Sequence, residues 1–249
     1  MNNVYSRIVE RSNKKEKSFC WLIDPDKCNS PILLKRLKIA RQSKVDYIFI
    51  GGSLLVHNGI DEIIRMIKSE TEIPVILFPG NTMQISKDAD GILFLSLISG
   101  RNPDYLIGRH VEIAPILKTT GIEVIPTAYM LVDTGNPTTV SYISNTTPIP
   151  YNKTDIAIST AIAGEFLGLK LIFLEGGSGA GIPVSNEMIA GVKANINIPV
   201  IVGGGIRTAE QLKQAYSGGA DLVVVGNVIE QNEKLIPVFA EVAQKYNNV

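Results

Sequence analysis

Short apolar runs alternate with helical patterns along most of this chain. The runs contain few polar positions, which is typical of strands buried on both faces of a parallel sheet. Eight are predicted as strands, over residues 19–23, 47–50, 75–78, 92–95, 123–127, 171–174, 200–202 and 222–225. Seven helical patterns lie between or after them, over residues 32–41, 60–69, 105–119, 155–167, 185–194, 209–217 and 237–246. This alternation predicts an α/β fold whose strands close into a (β/α)₈, or TIM, barrel.

Two links depart from the alternation. Only about a dozen residues separate Phe78 from Ile92, so the third helix is predicted to be missing or irregular. The link from Ala128 to Lys153 is long and rich in Thr, Asn and Pro, and such links are usually lids or binding loops. The strand count closes only if both sides of this link belong to one barrel. We therefore expect a single domain over residues 1–249.

Composition narrows the functional class. The 249 residues match the length of one such barrel, and 45% hydrophobic with 19% charged residues indicate a folded globular protein. With 24 basic and 24 acidic residues the formal net charge is zero, which offers no general attraction to nucleic acid. The longest apolar runs have the length of strands, so no transmembrane segment is expected.

The cysteines and the first residues bear on location. Cys20 and Cys28 fit neither a zinc pattern nor a disulfide framework, so both are predicted to be free thiols. Residues 1–18 are polar and charged and lack the apolar core of a secretory signal. These features together predict a cytoplasmic protein.

Three glycine-rich turns follow the last three predicted strands. They lie at residues 175–181 (EGGSGAG), 203–208 (GGGIRT) and 226–227 (GN). Glycine lets main-chain N–H groups approach a ligand closely, and the helix that follows adds partial positive charge. TIM barrels commonly bind phosphate beyond their seventh and eighth strands. The sequence therefore predicts a site for a phosphorylated small molecule.

Two catalytic motifs are nearly matched in these turns, but both fail. Ala180 stands where the G-x-S-x-G nucleophile motif needs its last glycine, and Thr208 stands at the final position of G-x-G-x-x-G. His57 and His110 have no reason to meet Ser178, and they are interpreted as ordinary surface or interface residues. Phosphate binding by the backbone remains, because it needs no particular side chain.

Asp24 is the first residue beyond the first strand, at the end where TIM barrels carry their active sites. Its carboxylate is a candidate ligand for Mg²⁺, and Asp26 and Lys27 are further functional candidates. The alternative is that Asp26 or Asn29 only caps the following helix. Ser53 ends the second strand, where its hydroxyl could join Asp24 on the metal or simply cap a helix.

Glu175 ends the sixth strand and points to the same mouth. It could accept a proton from a substrate hydroxyl or form a hydrogen bond with it. The alternative is that Glu175 balances the charge of a nearby lysine or arginine.

Taken together, the motifs strongly resemble the geranylgeranylglyceryl phosphate synthase family, which includes the bacterial heptaprenylglyceryl phosphate synthases. The resemblance covers nearly the whole chain, and the family's barrel also lacks a regular third helix. In chain order, its motifs are residues 21–27 (WLIDPDK), 51–53 (GGS), 78–81 (FPGN), 99–102 (SGRN), 105–108 (YLIG), 173–180 (FLEGGSGA), 202–207 (VGGGIR) and 226–227 (GN).

The resemblance implies a Mg²⁺-dependent prenyltransferase that joins a polyprenyl diphosphate to sn-glycerol 1-phosphate. Geranylgeranyl diphosphate is the expected donor and heptaprenyl diphosphate the alternative. Asp24 and Ser53 would hold Mg²⁺, and Asp24 and Glu175 would be catalytic. The implied contacts to glycerol 1-phosphate are Phe173, Leu174, Glu175, Gly176, Gly177, Ser178, Gly179, Gly203, Gly204, Gly205, Gly226 and Asn227.

The prenyl tail needs an apolar groove, for which residues 95–98 and 129–132 are suitable lining; ordinary core packing is the alternative. Phe173 stands where the family more often has tyrosine, so a contact through a phenolic hydroxyl is absent.

Two rival functions stay open. One is another phosphate-binding TIM-barrel enzyme, an isomerase or synthase, which usually needs an acid–base pair facing across the barrel. The other is a non-catalytic barrel that only binds a phosphorylated ligand.

The family occurs as dimers and hexamers, and the helical patterns at 105–119 and 155–167 carry more apolar residues than the barrel wall needs. We therefore expect a homo-oligomer, with a hexamer favoured over a dimer.

Overall fold

The computed structural model describes residues 3–52 and 59–247, and eight parallel strands form a closed barrel within them. Each strand pairs with the next one in the chain, and the first closes against the last with Trp21 opposite Val225. The predicted TIM barrel is confirmed. The strands are β1 (Ser18–Ile23), β2 (Tyr47–Ile50), β3 (Val75–Leu77), β4 (Gly91–Leu97), β5 (Glu123–Leu131), β6 (Leu171–Glu175), β7 (Val200–Gly203) and β8 (Leu222–Val225).

Helices surround the barrel. Side-chain caps begin several of them, as where the Asn29 side chain accepts a hydrogen bond from the Ile32 backbone N–H at 3.4 Å; the capping alternative for Asn29 is thus seen. The helices are α1 (Val4–Asn13), α2 (Ser30–Gln42), α3 (Ile60–Glu70), α4 (Arg109–Thr120), α5 (Thr139–Ser144), α6 (Thr154–Phe166), α7 (Asn186–Ala194), α8 (Ala209–Ser217), α9 (Asn227–Gln231) and α10 (Leu235–Asn247). No helix within the described residues is long and apolar enough to span a bilayer.

The link between β3 and β4 contains no helix over residues 78–90, all of which are described. The prediction of a missing third helix is therefore confirmed. The link is held instead by Gln84, whose side-chain nitrogen donates to the Gly52 carbonyl at 2.8 Å, and by Asp90, which accepts from the Val75 N–H at 2.7 Å. Phe94 of β4 is only partly buried.

Helices α1 and α5 and the length of strand β5 depart from the sequence prediction. Helix α1 was not predicted, because its segment is mostly polar; Val4 and Ile8 are nevertheless buried, and the Val4 N–H donates to a Glu123 carboxylate oxygen at 2.6 Å. Strand β5 runs on to Leu131, into the link that was predicted to begin at Ala128. That link also contains the short helix α5.

Side chains from alternate strand positions form two apolar layers. Leu174 faces the outer layer between strands and helices, whereas Phe173 faces the lumen of the barrel. In the lumen the rings of Phe78 and Phe173 stack at 4.9 Å between centroids, and Tyr129 meets Phe173 edge-on at 5.5 Å. These rings close the barrel beneath its carboxyl end.

Candidate active site

A cavity of about 860 Å³ opens at the carboxyl ends of the strands. On one side it is lined by the glycine turns after β6, β7 and β8, and on the other by apolar side chains from β4, α5 and the link after β3. Most of the predicted site residues are brought together in this lining: Asp24, Glu175, Gly177, Ser178, Gly179, Gly203, Gly204, Gly205, Gly226 and Asn227. Ser53 lies outside the described residues, so its place beside Asp24 stays a prediction.

The turns after β6 and β7 need glycine for both conformation and space. Gly177 and Gly204 have φ of +91° and +82°, in the left-handed region that favours glycine. A Cβ built on Gly204 would lie 2.6 Å from the Gly177 nitrogen and 2.7 Å from a carboxylate oxygen of Glu175. The two turns therefore touch through their backbones, and a side chain at position 204 would push them apart.

Side chains tie the three turns into one cradle. The Asn227 side-chain nitrogen donates to the Ser178 hydroxyl at 3.2 Å, which joins the turns after β8 and β6. The guanidinium of Arg207 donates to the carbonyls of Ala180 and Gly181 at 2.5 and 2.9 Å. No charged residue occurs between positions 176 and 186. Successive main-chain N–H groups in such turns suit an anion, so the cradle fits a phosphate group.

Three of the predicted contacts lie outside the cavity lining. The side chains of Phe173 and Leu174 are fully buried, in the lumen and in the outer layer respectively. Gly176 also lies behind the lining, where its N–H donates to the Gly203 carbonyl at 2.9 Å. Phe173 and Leu174 therefore offer no side-chain surface to a ligand, and Gly176 supports the neighbouring turn.

Glu175 is only 6% exposed and ends β6 at the edge of the cradle. Burial raises the pKa of its carboxyl from 4.5 to about 7, although a 2.6 Å hydrogen bond from the Gly177 N–H acts in the opposite direction. No ion pair with lysine or arginine involves Glu175 among the described residues, so the charge-balancing alternative is not seen there. A carboxyl group with this pKa changes protonation near neutral pH, as a general base requires.

Asp24 sits where β1 enters the cavity. One carboxylate oxygen accepts from the Asp26 N–H at 3.1 Å, and the other lies 3.1 Å from the Lys27 ammonium. No cluster of three or more metal-ligating side chains occurs in the described part of the chain. Since Mg²⁺ is commonly held by one or two carboxylates together with substrate phosphates, Asp24 fits a metal shared with a ligand rather than a cage made by protein alone.

The apolar side of the cavity agrees in part with the predicted groove. Leu95, Leu97 and Tyr129 line it, whereas Met130 and Val132 face the outer layer because strand side chains alternate. Five further residues line the cavity and were not predicted from any local pattern: Thr139, Val140 and Ile143 of helix α5, together with Leu93 and Met83. They come from elements that only the fold brings to this mouth.

The interpretation of His110 as a surface or interface residue is wrong. It is 7% exposed and lines the cavity, with its Nε2 3.3 Å from the Ser96 hydroxyl and its ring edge-on to Phe94. His110 and Leu117 are two turns apart and so share the inward face of α4. Burial lowers the pKa of His110. His57 lies outside the described residues.

Comparison with known proteins agrees with this geometry. The model of the PcrB family matches residues 11–243. The chain is 51% identical to a geranylgeranylglyceryl phosphate synthase of Chitinophaga pinensis over 96% of this chain and 95% of that one. It is 50% identical to a synthase of the same name from Spirosoma linguale, over 93% of each chain.

Among solved structures, (S)-3-O-geranylgeranylglyceryl phosphate synthase of Thermoplasma acidophilum in complex with its substrate sn-glycerol-1-phosphate superposes with a TM-score of 0.93. The alignment covers 100% of both chains, which are 33% identical. The family match and these relatives, together with the glycine cradle, show that the chain belongs to the PcrB family.

Proposed function

We propose that this protein transfers a prenyl group from a polyprenyl diphosphate to the hydroxyl of sn-glycerol 1-phosphate, forming an ether lipid precursor. Relatives of that name and the similar synthase bound to sn-glycerol-1-phosphate support the reaction and the acceptor. The observation that carries the proposal is the composition of one cavity. A backbone cradle for phosphate, a carboxyl group with a pKa of about 7 and an apolar groove all face the same space.

The acceptor occupies the cradle side in this proposal. Its phosphate is held by main-chain N–H groups of the turns that contain Gly177, Gly204 and Gly226. A carboxylate oxygen of Glu175 accepts a hydrogen bond from the Gly177 N–H at 2.6 Å, so a ligand whose phosphate lies in the cradle meets Glu175 beyond that phosphate. Glu175 then orients the glycerol hydroxyl and accepts its proton.

The donor occupies the opposite side. Asp24, with Ser53, would hold Mg²⁺, which when bound neutralises negative charge on the departing diphosphate. The prenyl tail lies along Leu93, Leu95 and Tyr129. The acceptor oxygen forms a bond to the allylic carbon, the bond from that carbon to the diphosphate oxygen breaks, and the proton passes to Glu175. Holding both reactants in this orientation contributes much of the rate.

The test is incubation with radiolabelled sn-glycerol 1-phosphate, geranylgeranyl diphosphate and Mg²⁺, with sn-glycerol 3-phosphate as the matched acceptor. We expect labelled lipid from the first acceptor and far less from its mirror image. Binding without product for every donor length would favour the non-catalytic barrel. Conversion of the phosphate ester without a prenyl donor would favour an isomerase or synthase.

The donor length is proposed from overall similarity to geranylgeranyl-using relatives. Competition between geranylgeranyl and heptaprenyl diphosphate, with products separated by mass, tests it. Preference for the longer donor would contradict the choice.

We also propose a cytoplasmic homo-oligomer, a hexamer rather than a dimer. Apolar side chains on two helices stand exposed, including Val111 and Ile116 of α4 and Ile156 and Phe166 of α6, and a symmetric assembly would bury them. Light scattering after gel filtration tests the assembly. A mass near that of one 27.0 kDa chain would contradict it.

A further inference from the structure

Lys27 bridges two carboxylates at the donor side of the cavity. Its ammonium nitrogen lies 3.1 Å from an oxygen of Asp24 and 3.1 Å from an oxygen of Glu230. All three residues line the cavity, and the Lys27 side chain is 49% exposed. The ammonium therefore balances two negative charges that face the same opening.

The arginines that line the described part of the cavity interact with other protein groups. Arg207 donates to the carbonyls of the turn after β6, and Arg109 pairs with Glu112 at 3.2 Å on α4. The phosphate cradle itself has no charged side chain between residues 176 and 186. A diphosphate that reaches Asp24 would thus find Lys27 as the neighbouring cation.

Glu230 and Lys27 differ in how firmly they are held. Arg36 donates to the backbone carbonyl of Glu230 at 2.7 Å, which fixes this part of α9 against α2. Lysine, in contrast, is a point charge on a flexible four-carbon stem. When an anion enters, the lysine side chain is therefore the part that can move at little cost.

We propose that Lys27 is a diphosphate-binding residue. In the free protein Asp24 and Glu230 hold its ammonium. When the donor binds, the ammonium moves away from Asp24 and contacts the diphosphate. The Asp24 carboxylate is then available to the metal. Glu230 holds the ammonium in the free protein and competes with the diphosphate for it. The inference rests on the proposed function, because it takes the donor to be a diphosphate.

Calorimetric titration with inorganic pyrophosphate and Mg²⁺ tests this without turnover. Because a hydrogen bond to a charged group contributes about 1.5–3 kcal/mol, Lys27→Met should weaken pyrophosphate binding roughly tenfold or more. Lys27→Arg, which keeps the charge, should stay within a few-fold of the wild type. The matched control is Lys14→Met, which removes an exposed lysine paired with Glu10 on α1 and should change nothing.

Glu230→Gln separates the two carboxylates. Since it removes a competitor for the ammonium, it should bind pyrophosphate at least as tightly as the wild type. Weaker binding by Glu230→Gln would contradict this competition between Glu230 and the diphosphate. Unchanged binding by Lys27→Met, in a protein with a normal melting temperature, would overturn the role of Lys27. Absence of any pyrophosphate binding by the wild type would contradict the donor site itself, and with it the proposed function.

Discussion

The two sides of the cavity present different surfaces for ligand binding, one made of backbone and the other of charged side chains. On the side of β6, β7 and β8 the surface is backbone, shaped by glycines with positive φ such as Gly177 and Gly204. On the side of β1 it is charged side chains, Asp24, Lys27 and Glu230, linked by ion pairs. A rigid backbone surface suits a small ligand that must be placed accurately, whereas side chains can reorganise around a metal and a leaving group.

This contrast predicts that substitutions on each side damage different steps, and Asp24→Asn should have the largest effect. Loss of the carboxylate removes metal-assisted stabilisation worth several kcal/mol, so turnover should fall about 10³-fold or more. Affinity for sn-glycerol 1-phosphate, measured by calorimetry, should change little. The control is Asp104→Asn, which changes an exposed carboxylate next to the cavity-lining residue Tyr105. An equal loss of acceptor affinity in Asp24→Asn would remove the division between the two sides.

Glu175→Gln should come next. A positioned general base contributes about 10²–10⁴-fold, so kcat should fall in that range while acceptor binding is retained. In the wild type kcat/KM should rise with pH through about 7, the pKa of Glu175, because only the ionised carboxylate accepts the proton. The variant should lack this rise. A wild-type profile unchanged across this range would leave Glu175 as a binding group only.

Gly204→Ala tests the backbone surface. Its Cβ would meet the Gly177 nitrogen and Glu175 at under 3 Å, so the affinity for sn-glycerol 1-phosphate should fall about tenfold or more. Gly168→Ala is the matched control, since Gly168 has nearly the same φ, +83°, but nothing within 4 Å of its Cβ position. Both substitutions strain the backbone similarly. Similar acceptor affinities for the two variants would contradict the role of the Gly204 contacts in shaping the cradle.

A smaller effect concerns stability. The native pKa of Glu175, about 7, lies above its ordinary value of 4.5, so the native state binds more protons than the unfolded state between these pH values. Wild-type stability therefore decreases as pH rises through this window. Glu175→Gln should match the wild type at pH 4 and exceed it by about 3 kcal/mol at pH 8. Denaturant unfolding at both pH values checks this, and an equal difference at both would contradict the pKa assignment.

The same contrast explains what the sequence could predict. Buried parallel strands are continuous apolar runs and the cradle is a series of glycines, so both are visible in local sequence. The ion pair between Lys27 and Glu230 forms because the fold places α9 beside the end of β1, and no local sequence pattern indicates this. Helix α1 was missed because only Val4 and Ile8 of its mostly polar segment are buried. The burial of His110 was missed because no local pattern shows which face of α4 turns inward.

In the proposed reaction the acceptor hydroxyl attacks the allylic carbon. The most direct test supplies sn-glycerol 1-phosphate carrying ¹⁸O in its C3 hydroxyl, together with geranylgeranyl diphosphate and Mg²⁺, and measures both products by mass spectrometry. We expect the heavy oxygen wholly in the ether lipid and none in the released diphosphate. Heavy oxygen in the diphosphate, or an ether without it, would contradict the proposed reaction.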